Sequence, residues 1–379
     1  EPLVAKRTSG MMQPHLPKRI EKATRRQFPD GIPAFGTDAV RFTFAALATT
    51  GRDIRFDLGR VEGYRNFCNK IWNAARYVLM NSEGEDCGPE GAMEFNLADR
   101  WIRSRLARTI REVDEAFACY RLDLAARALY EFTWNEFCDW YLELSKPVLQ
   151  SEDSSAAERR ATRRTLVEVL EALLRLMHPI MPFITEEIWR RVAPLAGVGG
   201  DTIMRQPYPV AGDWIEDDEA ERELEWIKGF VLGIRQIRGE MNISPGRALP
   251  VILQDAADSD LRCAERHGRF LTRMVRLGDI RPLGPDETPP PSAAVLLGTM
   301  RILVPMEGLI DVAAELERLQ RQREKLLADL GKAEKKLAND SFVNNAPADV
   351  VEKERQRVLD FGGAIGKIDE QLEVMRELA

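Results

Sequence analysis

Metal-binding and disulfide motifs are scarce in this chain. Its 379 residues include five cysteines and three histidines, and no two cysteines form a Cys-x-x-Cys pair. Structural zinc sites are usually built from closely spaced Cys or His pairs, and disulfide frameworks need a high density of cysteines, so the sequence predicts neither of them. Scattered cysteines are typical of a reducing compartment. The histidines, His15, His178 and His267, lie far apart, and we expect neither a metal site nor a catalytic residue among them.

Long apolar runs and phosphate-binding loops are also missing. No segment approaches the roughly 20 apolar residues of a membrane-spanning helix, so we expect no membrane segment. Gly362 and Gly363 lack the Lys-Ser or Lys-Thr that would complete a P-loop. The sequence begins at Glu1 without an initiator Met or a targeting signal. We therefore expect a cytoplasmic fragment of a longer polypeptide.

The charge of the chain is unevenly distributed. Its formal net charge is -7, yet residues 1–80 contain 14 Lys and Arg against seven Asp and Glu, so this region carries +7 and the remainder -14. Such asymmetry in an acidic protein favours contact between one region and a polyanion such as a nucleic acid. Exposed arginine-rich helices are also common in proteins without such a partner, so both interpretations stay open.

Helical periodicity dominates, and the predicted fold class is mainly α, with a small α/β subdomain. Residues 1–35, rich in Pro and Gly, predict an irregular connector, and residues 36–195 a helical bundle. Residues 196–219 predict a linker, and residues 220–308 the α/β subdomain. The predicted bundle helices cover residues 38–50, 58–80, 96–118, 122–146 and 157–192. The predicted strands are Leu249–Leu253, Ala293–Leu297 and Arg301–Val304.

Residues 309–379 predict an antiparallel coiled-coil hairpin. A four-three spacing of mostly apolar residues runs from Val312 to Leu337 and again from Val351 to Met375. The segment between them cannot continue a helix, because Pro347 lacks an amide donor and its Asn, Asp and Ser residues favour turns. Helices of roughly 28 residues would reach about 40 Å, far enough to touch a large partner. The alternative is an intermolecular coiled coil that dimerises the chain.

The predicted helix at residues 58–80 has a distinctive polar face. At 100° per residue its apolar side chains fill two neighbouring sectors that we expect in the core. These are Phe67, Ile71, Ala74 and Val78, and Cys68, Trp72, Ala75 and Leu79. The remaining face carries Arg65, Asn66, Asn69, Lys70, Asn73, Arg76 and Tyr77. Asparagine is a poor helix former, so its repetition here needs a reason.

This polar face suits unstacked RNA bases. Asn amides match the donors and acceptors of base edges, a Tyr ring can stack, and Arg or Lys can bind phosphates. The alternative is structural, with asparagines bonded to neighbouring backbone carbonyls and Tyr77 packed at the edge of the core. Two further expectations are also structural. Asp38 is placed to cap the helix that begins beside it, and the aromatic run from Phe132 to Tyr141 belongs to the core.

Several motifs resemble one enzyme family. They are residues 36–42 (GTDAVRF) and 66–74 (NFCNKIWNA), then 49–57 (TTGRDIRFD), 134–141 (WNEFCDWY), 178–189 (HPIMPFITEEIW) and 238–245 (RGEMNISP), and the tail pairs 342–343, 346–347 and 350–351. The first two resemble the entry to the anticodon-binding helical bundle of class I aminoacyl-tRNA synthetases. The others, with the terminal hairpin, are similar to the valyl-tRNA synthetase family. An isoleucyl- or leucyl-tRNA synthetase, which shares the bundle, and a non-enzymatic scaffold dimerising through its coiled coil remain alternatives.

The resemblance implies a separate role for each predicted domain. The bundle would bind the anticodon, the α/β subdomain would act as a spacer, and the hairpin would be a coiled-coil tRNA-binding arm against the outer corner of tRNA(Val). The family's His-Ile-Gly-His type and Lys-Met-Ser-Lys-Ser motifs do not occur here. The ATP and Mg²⁺ site would then belong to a missing catalytic domain before the connector. We expect no cofactor and no aminoacylation from this monomeric chain alone.

Three sets of candidate residues follow, none of them catalytic and none a metal ligand. The candidates for anticodon binding are Asn66, Asn69, Lys70, Asn73 and Tyr77. The candidates for tRNA phosphate binding are Arg52, Arg55, Arg60, Arg65 and Arg76. The candidates for outer-corner binding are Arg318, Arg321, Lys325, Lys332 and Lys336.

Overall fold

The structure is a computed structural model that describes residues 1–11, 15–51, 56–309, 312–339, 342 and 347–377. The chain folds into two compact units. The first, here the bundle unit, comprises residues 1–94, 105–142 and 156–216. The second, here the α/β-arm unit, comprises residues 95–104, 143–155 and 217–379.

The first 196 residues of the chain are mostly helical, and their helices make up most of the bundle unit. They are α1 (Pro2–Thr8), α2 (Leu16–Gln27), α3 (Thr37–Leu47), α4 (Leu58–Ser82), α5 (Leu97–Ala118), α6 (Leu122–Glu131), a π-helical segment (Phe132–Tyr141), α7 (Leu142–Leu149), α8 (Ala156–Met177) and α9 (Pro182–Ala196). The mainly helical prediction is confirmed. The prediction of an irregular segment over residues 1–35 is wrong, because α1 and α2 lie there. Pro2 and Pro17 stand in first turns, where a missing amide costs no hydrogen bond.

A break separates α8 from α9, although the sequence predicted one helix over residues 157–192. The chain turns at residues 178–181, where the Nδ1 of His178 lies 2.8 Å from Thr185 Oγ1. Burial lowers the pKa of His178. The Asp38 carboxylate accepts hydrogen bonds from the amides of Phe183, at 3.3 Å, and Ile184, at 2.7 Å. The prediction that Asp38 caps its own helix is therefore wrong: it caps α9, and Gly36 stands at the N-cap of α3.

Aromatic rings fill the core between α3, α4 and α6. Phe67, fully buried, lies with its ring centroid 5.1 Å from that of Phe42 and 4.8 Å from that of Tyr130. From the aromatic run, Phe132, Phe137 and Tyr141 are buried as predicted. Trp134 and Trp140 are half-exposed instead, because the π-helical winding changes the angle between successive side chains. These contacts fix the orientation of α4.

A small four-stranded sheet forms the centre of the α/β-arm unit. Its elements are α10 (Asp218–Glu240), β1 (Leu249–Gln254), α11 (Asp258–Val275), β2 (Leu277–Pro282), β3 (Ser292–Leu297) and β4 (Met300–Pro305). The strand order is β2-β1-β4-β3, with β1 and β2 parallel and the other pairs antiparallel. The three predicted strands are present. The sequence did not predict β2, an edge strand whose Gly, Asp, Arg and Pro residues hide any apolar alternation.

Helix α10 approaches the sheet closely at two glycines. A Cβ at Gly229 would clash with Leu297, and a Cβ at Gly233 would lie 2.7 Å from the Cγ1 of Val295. The two glycines are four residues apart and therefore share one helix face. Their lack of side chains lets α10 lie against β3, and the C-terminal end of α10 lies next to that of α11, where Arg238 donates to the Val275 carbonyl.

Two long helices, α12 (Val312–Leu337) and α13 (Ala348–Glu377), pair at the end of the chain. Their seam buries Leu319, Ala333, Val351, Ile368 and Leu372. Arg323 pairs with Asp369 at 2.6 Å and Lys336 with Glu354 at 3.2 Å, so the partner recedes along α13 as α12 advances. The predicted antiparallel hairpin is confirmed. Residues 340–341 and 343–346 of the predicted break lie outside the described residues.

Candidate nucleic-acid interface

Helix α4 is anchored by its start and by its apolar side. The Asp57 carboxylate accepts a hydrogen bond from the Gly59 amide at 2.9 Å and caps the helix. Phe67, Ile71, Ala74 and Val78 are at most 5% exposed, as the sequence predicted. A helix held along this side presents its other side in a fixed orientation.

Three asparagines stand on the exposed side of α4. Asn66, Asn69 and Asn73 are all exposed and span a sector of about 60° around the helix axis. Their side-chain amides form no hydrogen bond with any residue that the structure describes. This asparagine face therefore presents three sets of donors and acceptors to solvent. The structural alternative, in which they bond to neighbouring backbone carbonyls, finds no support among the described residues.

Lys70 and Tyr77 lie along the border between the asparagine face and the core. Lys70 Nζ lies 2.7 Å from Asp139 Oδ1 and 5.0 Å from the ring centroid of Trp134. This ion pair offsets the lysine charge and ties α4 to the π-helical segment. Tyr77 is half-buried, and its backbone carbonyl accepts a hydrogen bond from Asn81 at 2.7 Å. Both residues remain candidates, with less freedom than the asparagines.

The predicted phosphate-binding arginines differ in their surroundings. Arg60 and Arg76 are exposed and form no hydrogen bond or ion pair with a described residue. Arg65 lies 3.3 Å from Glu62 Oε1 and 5.7 Å from the ring centroid of Phe35. Arg52 and Arg55 lie outside the described residues. Two cations, Arg60 and Arg76, are therefore available on α4 without breaking an internal pair.

Trp72 is a surface residue that the sequence reasoning assigned to the core. It is 45% exposed and lies about 60° around the helix from Asn69, on the side of Arg76. The prediction was wrong because the apolar arc of α4 is narrower than the hydrophobic residues suggest, and Cys68 is only half-buried. An exposed indole ring beside free amides and a cation gives α4 a stacking platform.

A second aromatic feature lies at the end of α3. The rings of Phe44 and Phe56 stack with centroids 5.5 Å apart, and both are nearly half exposed. Phe44 also lines a groove of about 580 Å³ with Ala45, Phe117, Leu122 and Ile180, among others. The sequence could have indicated this exposed ring, because Phe44 follows the core residue Phe42 by two positions and therefore lies on another side of α3.

The predicted outer-corner residues share one side of α12. Arg318, Arg321, Lys325, Lys332 and Lys336 fall within a sector of about 60°, and Lys336, at the edge of that sector, reaches Glu354 of α13. We call these five residues the basic stripe. Arg321, Lys332 and Lys336 pair with Glu317, Asp329 and Glu354, whereas exposed Lys325 forms no hydrogen bond or ion pair with a described residue. The Arg321 and Lys332 pairs are largely exposed and contribute little, so these two cations remain available to a stronger anion, whereas Lys336 is held by the buried Glu354.

Two protein-family models match this chain. Residues 99–253 match the anticodon-binding domain of tRNA ligases, and residues 311–376 match the valyl-tRNA synthetase tRNA-binding arm. The second match coincides with α12 and α13. Helix α4, with its asparagine face, precedes the first match.

Among curated proteins, the chain is 49% identical over all 379 residues to a valine–tRNA ligase of Acinetobacter baylyi. The chain spans 39% of that relative's length. Among solved structures, the LeuRS–tRNA–LeuAMS ternary complex of Agrobacterium radiobacter K84 is similar over 74% of this chain and 32% of its own, at 14% identity and a TM-score of 0.36. That score is too low to establish a common fold.

Proposed function

Because the chain belongs to the valyl-tRNA synthetase family, we propose that it is the tRNA-binding part of an enzyme that attaches valine to tRNA(Val) with ATP. Binding of the amino acid and of ATP with Mg²⁺ falls to a part of the enzyme outside this sequence. The described residues contain no group of three His, Cys, Asp or Glu residues suited to a metal ion. The chain's own contribution is to recognise and orient the tRNA.

The observation that carries the proposal is the asparagine face. Three side-chain amides that bond to no described residue stand on one side of α4, and each can offer a donor and an acceptor to the edge of a base. A wrong base leaves one of these groups unpaired in a desolvated contact, which costs about 1–3 kcal/mol. Trp72 supplies a ring on which an unstacked base can lie. We assign the anticodon loop to this surface, with Arg60 and Arg76 on its phosphates.

The basic stripe makes the second proposed contact. Helix α12 has 26 residues and is therefore about 39 Å long. Five cations along one side of such a rod follow a phosphate backbone without reading its sequence. The outer corner of the tRNA, where the backbone folds into a compact surface, fits a contact of this kind. This arm would add affinity and set orientation, while the asparagine face selects the tRNA.

The proposal also covers state and location. The seam of α12 is filled by α13 of the same chain, so coiled-coil dimerisation is not needed to bury it, and we propose a monomer in the cytoplasm. No helix in the described part of the chain is long and apolar enough to cross a membrane. Sedimentation of the purified chain tests the oligomeric state: a dimer that dissociates when α12 or α13 is altered would favour the scaffold alternative.

Binding to a pool of tRNAs tests the function. The purified chain is incubated with unfractionated tRNA, and the retained species are identified by sequencing. We expect enrichment of tRNA(Val) and loss of that enrichment when its anticodon is changed. Enrichment of a leucine or isoleucine tRNA would assign the chain to a related synthetase, and retention of no tRNA would refute RNA binding altogether. In a parallel assay, formation of valyl-adenylate by this chain alone would contradict the assignment of ATP chemistry elsewhere.

A further inference from the structure

The α/β-arm unit contains a cavity that neither the asparagine face nor the basic stripe uses. Its volume is about 450 Å³, and it lies between the C-terminal ends of α10 and α11. Four arginines line it, and the described lining contains no acidic residue. The full lining is Arg235, Arg238, Gly239, Ile243, Pro245, Arg273, Met274, Val275 and Arg276. We call this the arginine cavity.

Arg238 forms the inner wall and is held rigidly. It is 9% exposed, and its guanidinium donates to the backbone carbonyls of Ser244 at 2.9 Å, Arg247 at 2.7 Å and Val275 at 2.8 Å. Carbonyl dipoles therefore surround this charge in place of a carboxylate. Burial, and then the charge of Arg276, lower the pKa of Arg238. A buried cation with no counterion among the described residues leaves a positive potential in the cavity.

Arg273 and Arg276 stand at the mouth of the cavity, and both are exposed. Arg273 forms no ion pair or hydrogen bond with a described residue. Arg276 donates to the Gly246 carbonyl at 3.1 Å, which leaves other N–H groups of its guanidinium unused. It also has a φ of 53° at the C-cap of α11, a left-handed position that usually holds glycine. An arginine there carries a conformational cost, which is common at binding sites.

The cavity lies beside the root of the arm. Gln371 of α13 donates to the carbonyl of Glu240, the last residue of α10, at 3.1 Å. Arg247, whose carbonyl Arg238 binds, itself donates to the carbonyls of Gly308 and Leu309, just before α12. These hydrogen bonds connect the segment beside the arginine cavity to α13 and to the residues that precede α12.

We propose that the arginine cavity binds a phosphate group of the tRNA backbone at the root of the arm, an inference that rests on the proposed tRNA binding. Guanidinium groups in a fixed arrangement match phosphate oxygens through paired N–H donors. Arg238 supplies a preorganised positive inner wall, and Arg273 and Arg276 are the groups that contact the oxygens. This contact locks the arm against the RNA backbone without reading its sequence.

The test uses the variant R273A/R276G. Glycine at position 276 adopts the left-handed conformation without strain, and alanine at position 273 suits an exposed helix site. We therefore expect the melting temperature of the double variant to be no lower than that of the wild type. The matched control is Arg262→Ala. Arg262 is exposed on α11 about 16 Å from Arg273 along the axis and borders a different pocket that contains Glu219, Glu223 and Asp260.

Binding of tRNA to the full chain is measured by filter retention from 50 to 300 mM KCl. At 100 mM salt the double variant should bind about tenfold more weakly, and its log–log salt slope should be shallower by about 1, as expected for one lost phosphate contact. R262A should match the wild type. Equal behaviour of R273A/R276G and R262A overturns the proposal.

A second experiment distinguishes binding of an RNA phosphate from binding of a free anion. Inorganic phosphate is titrated into each protein by calorimetry at low salt. The proposal is supported if the wild type gives a heat of phosphate binding that the double variant lacks, and if the double variant also binds tRNA more weakly. Phosphate binding lost by the variant while tRNA binding stays unchanged overturns the RNA assignment, since the cavity would then serve a small phosphate compound. Failure of the wild type to bind any tRNA would instead refute the underlying function.

Discussion

Replacing the three residues of the asparagine face should make the protein more stable and less functional at once. In the variant N66A/N69A/N73A, each substitution exchanges a poor helix former for the best one, on an exposed surface where no described partner is lost. The difference is at most about 0.7 kcal/mol per residue, so the free energy of unfolding should rise by about 1–2 kcal/mol. Selection for helix stability alone would not retain these asparagines.

The same variant should lose affinity for its tRNA. Each amide that pairs with a base contributes about 1 kcal/mol net, or roughly fivefold in affinity, and the loss should be larger for the cognate tRNA than for others. Urea denaturation followed by circular dichroism measures the first effect, and filter binding with cognate and non-cognate tRNA measures the second. The fall in discrimination separates base recognition from a general weakening.

The matched control is Gly63→Ala on the same helix. Gly63 is exposed, a Cβ there would meet no atom within 4 Å, and alanine for glycine should stabilise α4 by about 0.5–1 kcal/mol. It should leave tRNA binding unchanged. If G63A weakened binding as much as the triple variant, rigidity of α4 rather than its amides would be the cause. If the triple variant were less stable than the wild type, the asparagines would have a structural role and the reasoning would be refuted.

Three further predictions concern single residues. Trp72→Ala should weaken tRNA binding by about 1–3 kcal/mol, with Trp72→Phe recovering most of it, as expected for stacking; equal binding by all three proteins in a fluorescence titration would remove Trp72 from the interface. Asp38→Ala should cost about 1–2 kcal/mol in urea denaturation, because two amides of α9 lose their cap, and Asp38→Asn should recover part of that loss; no loss would mean that the cap is dispensable. The hydrogen bond from Lys336 lowers the pKa of Glu354 below its ordinary value of 4.5, so its stabilising effect is present above that pH and is lost as the pH falls through the lowered value. The melting temperature should therefore fall more between pH 6 and pH 3 in the wild type than in Glu354→Gln, and equal falls would contradict this linkage.

The sequence predicted the helices and the seam between α12 and α13 well. It predicted less well which side chains at the edge of a buried helix face are exposed. The four-three spacing of apolar residues keeps one side of each paired helix buried. This spacing alone was therefore enough to predict the seam between α12 and α13. The face of α4 followed from the same periodicity. Trp72 did not, because the edge of a buried arc depends on how far the neighbouring helices extend around α4. A tryptophan at that edge can lie on either side of the boundary.

Contacts between distant segments account for the remaining differences. Asp38 caps α9, about 145 residues further along the chain, and nothing in its local sequence distinguishes this from capping α3. The arginine cavity likewise forms from the ends of α10 and α11, where no contiguous motif brings the arginines together. Such sites depend on tertiary packing, which a single sequence read by period and local propensity does not specify.

The two proposed surfaces differ in charge, and this difference makes them separable in one experiment. The asparagine face is neutral, so the triple alanine variant should lower affinity by the same factor at every salt concentration. The basic stripe acts by displacing counterions, so Lys325→Ala should make the log–log salt slope shallower by about 0.7 to 0.9. Lys335→Ala is its control, since Lys335 is also exposed on α12 but lies about 80° around the helix from Lys325, outside the stripe. A slope changed equally by both lysine variants would mean that the arm attracts RNA by its overall charge, and the stripe would then not be a defined interface.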